Sequence, residues 1–303
     1  MLQRFFTVDR SANTKDERAQ KLTPYLFLAP ALLGLGLTVF IPALQAFYLS
    51  FNSYNIFDGS TAWTGLDNFN KLMQDEVFWQ TVRNTLLYLL FVVPALVFLP
   101  LVLAIAVNQK LMGISWFRAA YYVPVLISMV VAGIAWKFIY AENGLLNQLL
   151  QAIHLPPVEW LTSPNLALFS VMIVTIWKGL GYYMVIYLAG LQSIPADLYE
   201  AAAIDGVDGV AKHWDITIPL MRPYMALVAV VSAIAATKVF EEVYVMTQGG
   251  PRNSSKTVVY YLYQQAFGSD QNLSYACTIG LVLFLVILVL SIINLKLSDG
   301  KVV

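Results

Sequence analysis

The sequence predicts an all-α, polytopic membrane bundle of six transmembrane helices, and three observations carry that prediction. Of 303 residues, 59% are hydrophobic and only 12% charged, about half the ~25% charged share of soluble domains, and the mean hydropathy is +0.67. Six apolar runs, 24–50, 84–108, 117–140, 166–190, 222–246 and 275–296, are each near the ~20 residues a helix needs to cross a hydrocarbon core. Lys and Arg alternate between dense and sparse in the connections joining those runs.

Taken in order, a basic tail with Arg4, Arg10, Lys15, Arg18 and Lys21 occupies 1–23 and precedes the first run. That run is too long for the ~7–15-residue apolar core of a signal peptide and has no convincing cleavage site, so it reads as an uncleaved anchor. If the tail lies inside, the inner segments hold it together with Lys110, Arg118, Lys212, Arg222, Lys296 and Lys301, eleven basic residues in all. The outer connections 51–83 and 247–274 hold only Lys71, Arg83, Arg252 and Lys256, and 141–165 holds none. The excess of inner charge predicts cytoplasmic termini. It divides the chain into the tail, a six-helix transmembrane domain over 24–297, and a cytoplasmic tail over 298–303 in the inner membrane. Trp63, Trp79, Trp116, Trp136 and Trp160 fall near the span ends, where amphipathic rings anchor. Pro42, Pro94, Pro100, Pro124 and Gly133 lie within spans and predict bends.

Several functions are disfavoured. A net charge of zero argues against nucleic acid or a globally basic partner surface. The single Cys277 allows no intramolecular disulfide or thiolate cluster. His154 and His213, the only histidines, fall on opposite predicted sides, and no catalytic constellation is visible. The phosphate-binding pattern G-x-x-x-x-G-K-[ST] is absent, so the chain does not supply an ATP site of that kind.

Charges inside spans face a cavity or a partner more often than lipid. Lys178 lies about 18 Å from the inner end of the fourth run at 1.5 Å per residue, and Lys238 about 24 Å from the inner end of the fifth. Glu241 and Glu242 follow Lys238 at helical spacing, so either carboxylate can neutralise it along one helix face. Trp177, Tyr182 and Tyr183 flank Lys178, a combination that suits the faces and hydroxyls of a polar ring. The same aromatics also suit packing against lipid or neighbouring helices.

The connection 195–223 is the chain's most patterned stretch. Pro195 opens a helix, Glu200 sits near its first turn, and Gly206 and Gly209 break it. A short second helix over 209–217 follows, with Pro219 and Pro223 leading into the fifth span. The spacing of Glu200-Ala201-Ala202, Gly206, Ile216 and Pro219 resembles the EAA loop of binding-protein-dependent ABC importer permeases. Phe27-Leu28-Ala29-Pro30, and Val243 to Thr247 followed by Gly249-Gly250-Pro251, are similar to the maltose- and glycerol-phosphate-type members. Ile218 replaces the usual Leu, Val207 a common Ala, and His213 a frequent Phe.

That resemblance implies a pore-forming subunit rather than an enzyme, with no cofactor of its own, importing a sugar, oligosaccharide or polyol. Glu200, Ala201, Ala202, Asp205, Gly206, His213, Ile216 and Pro219 would couple it to the ATPase. Trp177, Lys178, Tyr182, Tyr183, Lys238, Glu241 and Glu242 would line the solute path. It also implies a second permease, two cytoplasmic ATPase subunits that bind ATP and magnesium, and an external solute-binding protein. Two other readings stand beside it: an ion-coupled secondary transporter using Lys178, Glu241 and Glu242 as a charge relay, and a structural membrane subunit. The lack of a clear inverted repeat weighs against the first, and the loop's spacing against both.

Overall fold

The structure, a computed structural model, describes residues 24–56, 58–109, 112–269 and 271–299, with the side chains of Leu290 and 293–299 outside the description. The basic tail, Lys110, Lys296 and Lys301 of the charge argument therefore lie outside what is described, wholly or in their side chains. The remainder is mostly helical.

Helix α1 (Pro24–Ser50) is long and apolar, and none of its most apolar window is buried by the rest of the chain. A π turn, Gly36–Phe40, interrupts it, and the Ile41 amide donates to Gly36 O. Pro42 follows at once. It has no amide to give and its ring crowds the carbonyl four residues back, so a widened turn ahead of it keeps the helix running. A two-stranded hairpin, β1 (Asn52–Tyr54) and β2 (Thr61–Trp63), comes next. The short α2 (Asp67–Gln74) follows.

Helix α3 (Glu76–Val107) has 32 residues. Its N-cap is Asp75, whose Oδ1 accepts from the amides of Val77 at 2.9 Å and Phe78 at 3.1 Å, satisfying donors that no preceding turn can take. Pro94 and Pro100 lie within it without breaking it.

The third predicted span, 117–140, is instead two helices, α4 (Ile114–Leu126) and α5 (Met129–Ile139), bent by 101°. Ile127 is extended and Ser128 caps α5 through its hydroxyl. Packing fixes the bend from both sides. A Cβ at Gly181 would collide with the Tyr121 carbonyl of α4. A Cβ at Gly133 of α5 would come within 3.1 Å of Val245. Short α6 (Leu145–Ala152) carries Asn147, fully buried, which ties the connection 141–160 together.

Helix α7 (Ala167–Gln192) lies against α3 at the centre of the bundle. Tyr88, Val92, Met184, Tyr187, Met221 and Val228 are fully buried there, and the Tyr187 hydroxyl donates to Val97 O at 2.9 Å. With no water to exclude inside a bilayer, such close packing and interhelical hydrogen bonding hold helices together.

After α8 (Ala196–Ile204) the chain forms α9 (His213–Thr237). Here the structure departs twice from the expected elements. The second short helix is no separate element: a π turn, His213–Thr217, runs directly into the span, with the Ile218 amide on His213 O and Pro219 immediately after. The fifth span also ends early. Lys238 is the C-cap of α9, Val239 and Phe240 are non-helical, and α10 (Glu241–Met246) starts afresh. Helices α11 (Val258–Phe267) and α12 (Leu273–Asp299) complete the chain. Among the described residues four helices are long and apolar enough to cross a membrane, five if the bent pair counts as one span. The described apolar part of α12, Leu273–Val289, is shorter.

Candidate functional site

The break between α9 and α10 opens beside α7, α3 and the α4–α5 bend, and a cavity of about 270 Å³ forms there. Its wall includes Lys178, Tyr182 and Tyr183 of α7, Glu242 of α10, Tyr88 of α3, and Ser232 and Ala236 of α9. Four of the seven path residues expected from sequence therefore meet in one place. The other three do not. Trp177 turns aside and meets Trp136 edge-on, their ring centroids 5.5 Å apart. Lys238 and Glu241 are exposed and lie off the cavity.

The expected neutralisation of Lys238 by Glu241 or Glu242 along one helix face is not formed. The helix ends at Lys238, so spacing of three and four residues no longer places those groups on a common face. Among the described residues the ion pair within 4.0 Å is Lys212–Asp208.

Two wall residues escaped the sequence reading. Thr175 Oγ1 donates to Glu242 Oε1 at 3.3 Å, and the fully buried Tyr88 bonds its hydroxyl to the same Oγ1. This Tyr88–Thr175–Glu242 chain fixes the carboxylate at one wall, while Lys178 brings an amine to the same space. Threonine and tyrosine are ordinary in spans, and 87 residues separate Tyr88 from Thr175, so nothing local marks them. A small space edged by an amine, a carboxylate, hydroxyls and aromatic rings can grip a polyhydroxylated solute by hydrogen bonds to charged groups, the stronger kind. Among the described residues no group of three or more His, Cys, Asp or Glu side chains is arranged for a metal.

The second candidate is the hairpin between α7 and α9. Pro195 caps α8, and Asp197 lies in its first turn, where the helix dipole favours an acid. The helix ends in a Schellman turn: Val207 N–H donates to Ala202 O at 2.8 Å and Gly206 N–H to Ala203 O at 3.2 Å. Gly206 has φ +79° and Gly209 φ +63°, left-handed conformations that any side chain would strain. Of α8 only Ala202 is buried, while Glu200, Ala201, Asp205 and Gly206 are exposed.

Beyond the turn, buried Thr217 holds the two arms together. Its Oγ1 lies 3.0 Å from the Tyr199 hydroxyl and 3.1 Å from His213 Nδ1. Ile216 and Pro219 are half-buried beside it. Large apolar groups stay uncovered nearby, with Ile204 87%, Val210 72% and Trp214 67% exposed. Tyr199, Thr217 and Trp214 were not singled out from sequence, because only folding brings 199 to 217.

Residues 76–299 match the family described as "Binding-protein-dependent transport system inner membrane component". The chain is 38% identical over 288 residues to the probable ABC transporter permease protein YurN of Bacillus subtilis, covering 93% of this chain and 98% of that one. It is 36% identical over 286 residues to the arabinooligosaccharides transport system permease protein AraP of the same species, covering 93% and 90%. Among solved structures, a chain of a bacterial alginate ABC transporter in complex with alginate pentasaccharide-bound periplasmic protein superposes with a TM-score of 0.79. That likeness has 26% identity and covers 94% of this chain and 96% of the other.

Proposed function

We propose, from the premise that the chain belongs to the binding-protein-dependent transport system inner membrane components, that it is the pore subunit of an ATP-driven carbohydrate importer. The chain is a multi-pass protein of the inner membrane and an ABC transporter permease subunit. Its solute is an oligosaccharide or related sugar or polyol handed over by an external binding protein. The arabinooligosaccharide name of one relative and the alginate of the structural neighbour support that class.

The finer arrangement has six spans with both termini cytoplasmic, the bent α4–α5 pair and α12 counting as spans. The basic residues then gather on the hairpin side. The hairpin would dock in a cleft of a partner ATPase. Ala201 and the exposed Ile204 and Trp214 would fill the contact, Glu200 and Asp205 would meet its cations, and Gly206 would make the turn. His213, Ile216 and Pro219 would brace the hairpin through Thr217 and the root of α9. The pore also needs a second permease of similar fold, a different chain, and two cytoplasmic ATPase subunits that bind ATP and magnesium. Closure of the ATPases would draw the hairpins together and turn the spans about the mid-bundle cavity, where Lys178, Tyr182, Tyr183 and Glu242 receive the solute. The charge-relay alternative loses support because Glu241 stands off the cavity.

The observation that carries the proposal is the hairpin: a defined turn presenting small and apolar side chains that none of the described residues covers. Co-purification tests it. The ATPase recovered with the wild-type permease should be lost on Glu200→Arg and on Gly206→Pro. Lys178→Ala and Glu242→Ala should retain it while lowering sugar uptake. Recovery of a full complex from both hairpin variants would refute the docking role.

A further inference from the structure

At the end of the bundle away from the hairpin, α2, α11 and α12 surround a second cavity of about 600 Å³. Its volume falls within the ~300–1,000 Å³ range of small-molecule sites. Asn70, Lys71 and Gln74 of α2, Tyr261 and Gln265 of α11, and Tyr275 of α12 line it around Asp75. It shares no wall residue with the mid-bundle cavity. Asp75 and Tyr88 are 13 residues apart on one helix, which separates the two spaces by about 20 Å at 1.5 Å per residue.

The floor is rigid. Asp75 Oδ2 accepts from the Tyr261 hydroxyl at 2.5 Å and the Tyr275 hydroxyl at 2.6 Å, while Oδ1 accepts from the amides of Val77 and Phe78 in the first turn of α3. Both tyrosines are thereby held by their polar tips, while their rings pack into the apolar cluster beneath, 6% and 1% exposed. Lys71 Nζ lies 4.6 Å from the centroid of the Tyr275 ring, a cation–π distance. Those hydrogen bonds hold the Asp75 carboxyl below its usual range, although burial pushes it the other way. One carboxylate and one ammonium leave the lining neutral overall. The primary amides of Asn70, Gln74 and Gln265 each combine donors with an acceptor, the same duality as a sugar hydroxyl. Adaptable amides, fixed phenolic oxygens and balanced charge together suit a neutral, polyhydroxylated compound.

We propose that this cavity is a second saccharide site, a staging position that takes a neutral oligosaccharide before it reaches the mid-bundle cavity. The proposal rests on the carbohydrate-importer reading and adds to it a place and a charge preference.

The test uses the assembled transporter in nanodiscs without binding protein, with Asn70→Cys placed in a Cys277→Ser background. Lactose, arabinotriose and maltotriose are first compared for uptake by cells carrying the wild-type complex, and the sugar accumulated becomes the probe. At about twice its dissociation constant that sugar should slow modification of the new thiol by a cationic methanethiosulfonate about threefold. Trigalacturonate should not, and Asp58→Cys, off the cavity, should react at one rate throughout. Gln265→Leu should raise the half-saturating sugar concentration for uptake about fivefold, the loss of one hydrogen bond, at unchanged complex yield. Equal modification rates with and without an accumulated sugar would overturn the staging site and leave the importer standing. So would protection by the binding protein alone. Accumulation of none of the three sugars would overturn the neutral-oligosaccharide reading and the staging site with it.

Discussion

The two ends of the bundle are built by opposite rules. At the hairpin end, one buried threonine holds the arms, and Ile204, Val210 and Trp214 face outward uncovered. At the other end the connections are fastened by buried polar side chains. Asn84 Nδ2 donates to the carbonyls of Asn253 at 2.8 Å and Lys256 at 2.9 Å. Ser255 Oγ donates to Gly250 O at 2.6 Å. The Tyr54 amide donates to Ser274 Oγ at 2.9 Å. One end is tied together by its own side chains, and the other leaves large apolar groups uncovered by the described residues. On the proposed function that contrast makes sense: a surface that would move a partner is left exposed, and a rim that would receive solute is held in shape.

The largest expected effect falls on the self-contained end. Asn147 donates to Val158 O at 3.1 Å and Ala141 O at 3.3 Å, and accepts from the Val158 amide at 2.9 Å and Trp160 Nε1 at 3.1 Å. Asn147→Leu keeps the bulk but strands those groups in a buried site, where unpaired polar groups cost about 1–3 kcal/mol each before relaxation. The variant should lose about 3 kcal/mol of stability, read as a lower thermal midpoint of the purified permease. The ATPase recovered with whatever folds should be undiminished. A midpoint equal to wild type would show that this end is not held by its buried polar groups.

The converse experiment acts on the hairpin. Ile204→Asp combined with Trp214→Asp places charge on side chains that are already in contact with solvent, so stability should change by no more than about 0.5 kcal/mol per site. Affinity for the ATPase should fall about tenfold, or 1.4 kcal/mol, in a titration of the detergent-solubilised subunits. If the double variant lowers the thermal midpoint and spares association, the exposed patch belongs to the chain's own fold and the contrast between the ends disappears.

Much of this contrast was legible in the sequence, and where it was not the reason is tertiary. Continuous apolar runs disclose α1, α3 and α7 because a membrane helix needs little beyond length and hydropathy. Pro124 hinted at a bend, but 101° requires α4 to sit against Gly181 and α5 to sit against α10. The early end of α9 has no local signal in Thr237-Lys238-Val239-Phe240, since neither Gly nor Pro stands there. Instead Val239 O accepts from Thr257 Oγ1 at 3.0 Å, a bond available only after the chain returns. The same limit applies to the sites. Charges and aromatics within apolar runs pointed to Lys178, Tyr182, Tyr183 and Glu242, yet the Tyr88–Thr175 support joins helices far apart in sequence. The cavity around Asp75 pairs α2 with residues nearly 200 positions later, so no window along the chain contains it.

The smallest effect separates charge from shape at the finished end. Burial raises the Asp75 carboxyl, but hydrogen bonds from Tyr261, Tyr275 and the amides of Phe78 and Val77 outweigh it, and the group stays ionised below the ordinary carboxylate range. A depressed folded-state value means that the unfolded chain binds the proton first as pH falls. The stabilisation is therefore complete above the unfolded value of about 3.9 and disappears as pH drops through the folded one. Asp75→Asn retains acceptor capacity but not charge, and because the site is partly open to solvent the difference from wild type should be under about 1 kcal/mol. That difference should be full at pH 6 and close steadily below pH 4, measured as the gap between the two thermal midpoints. A gap that stays constant down to pH 3 would mean that Asp75 organises the two tyrosines by geometry alone, and that the charge balance assigned to the cavity around it has no energetic basis.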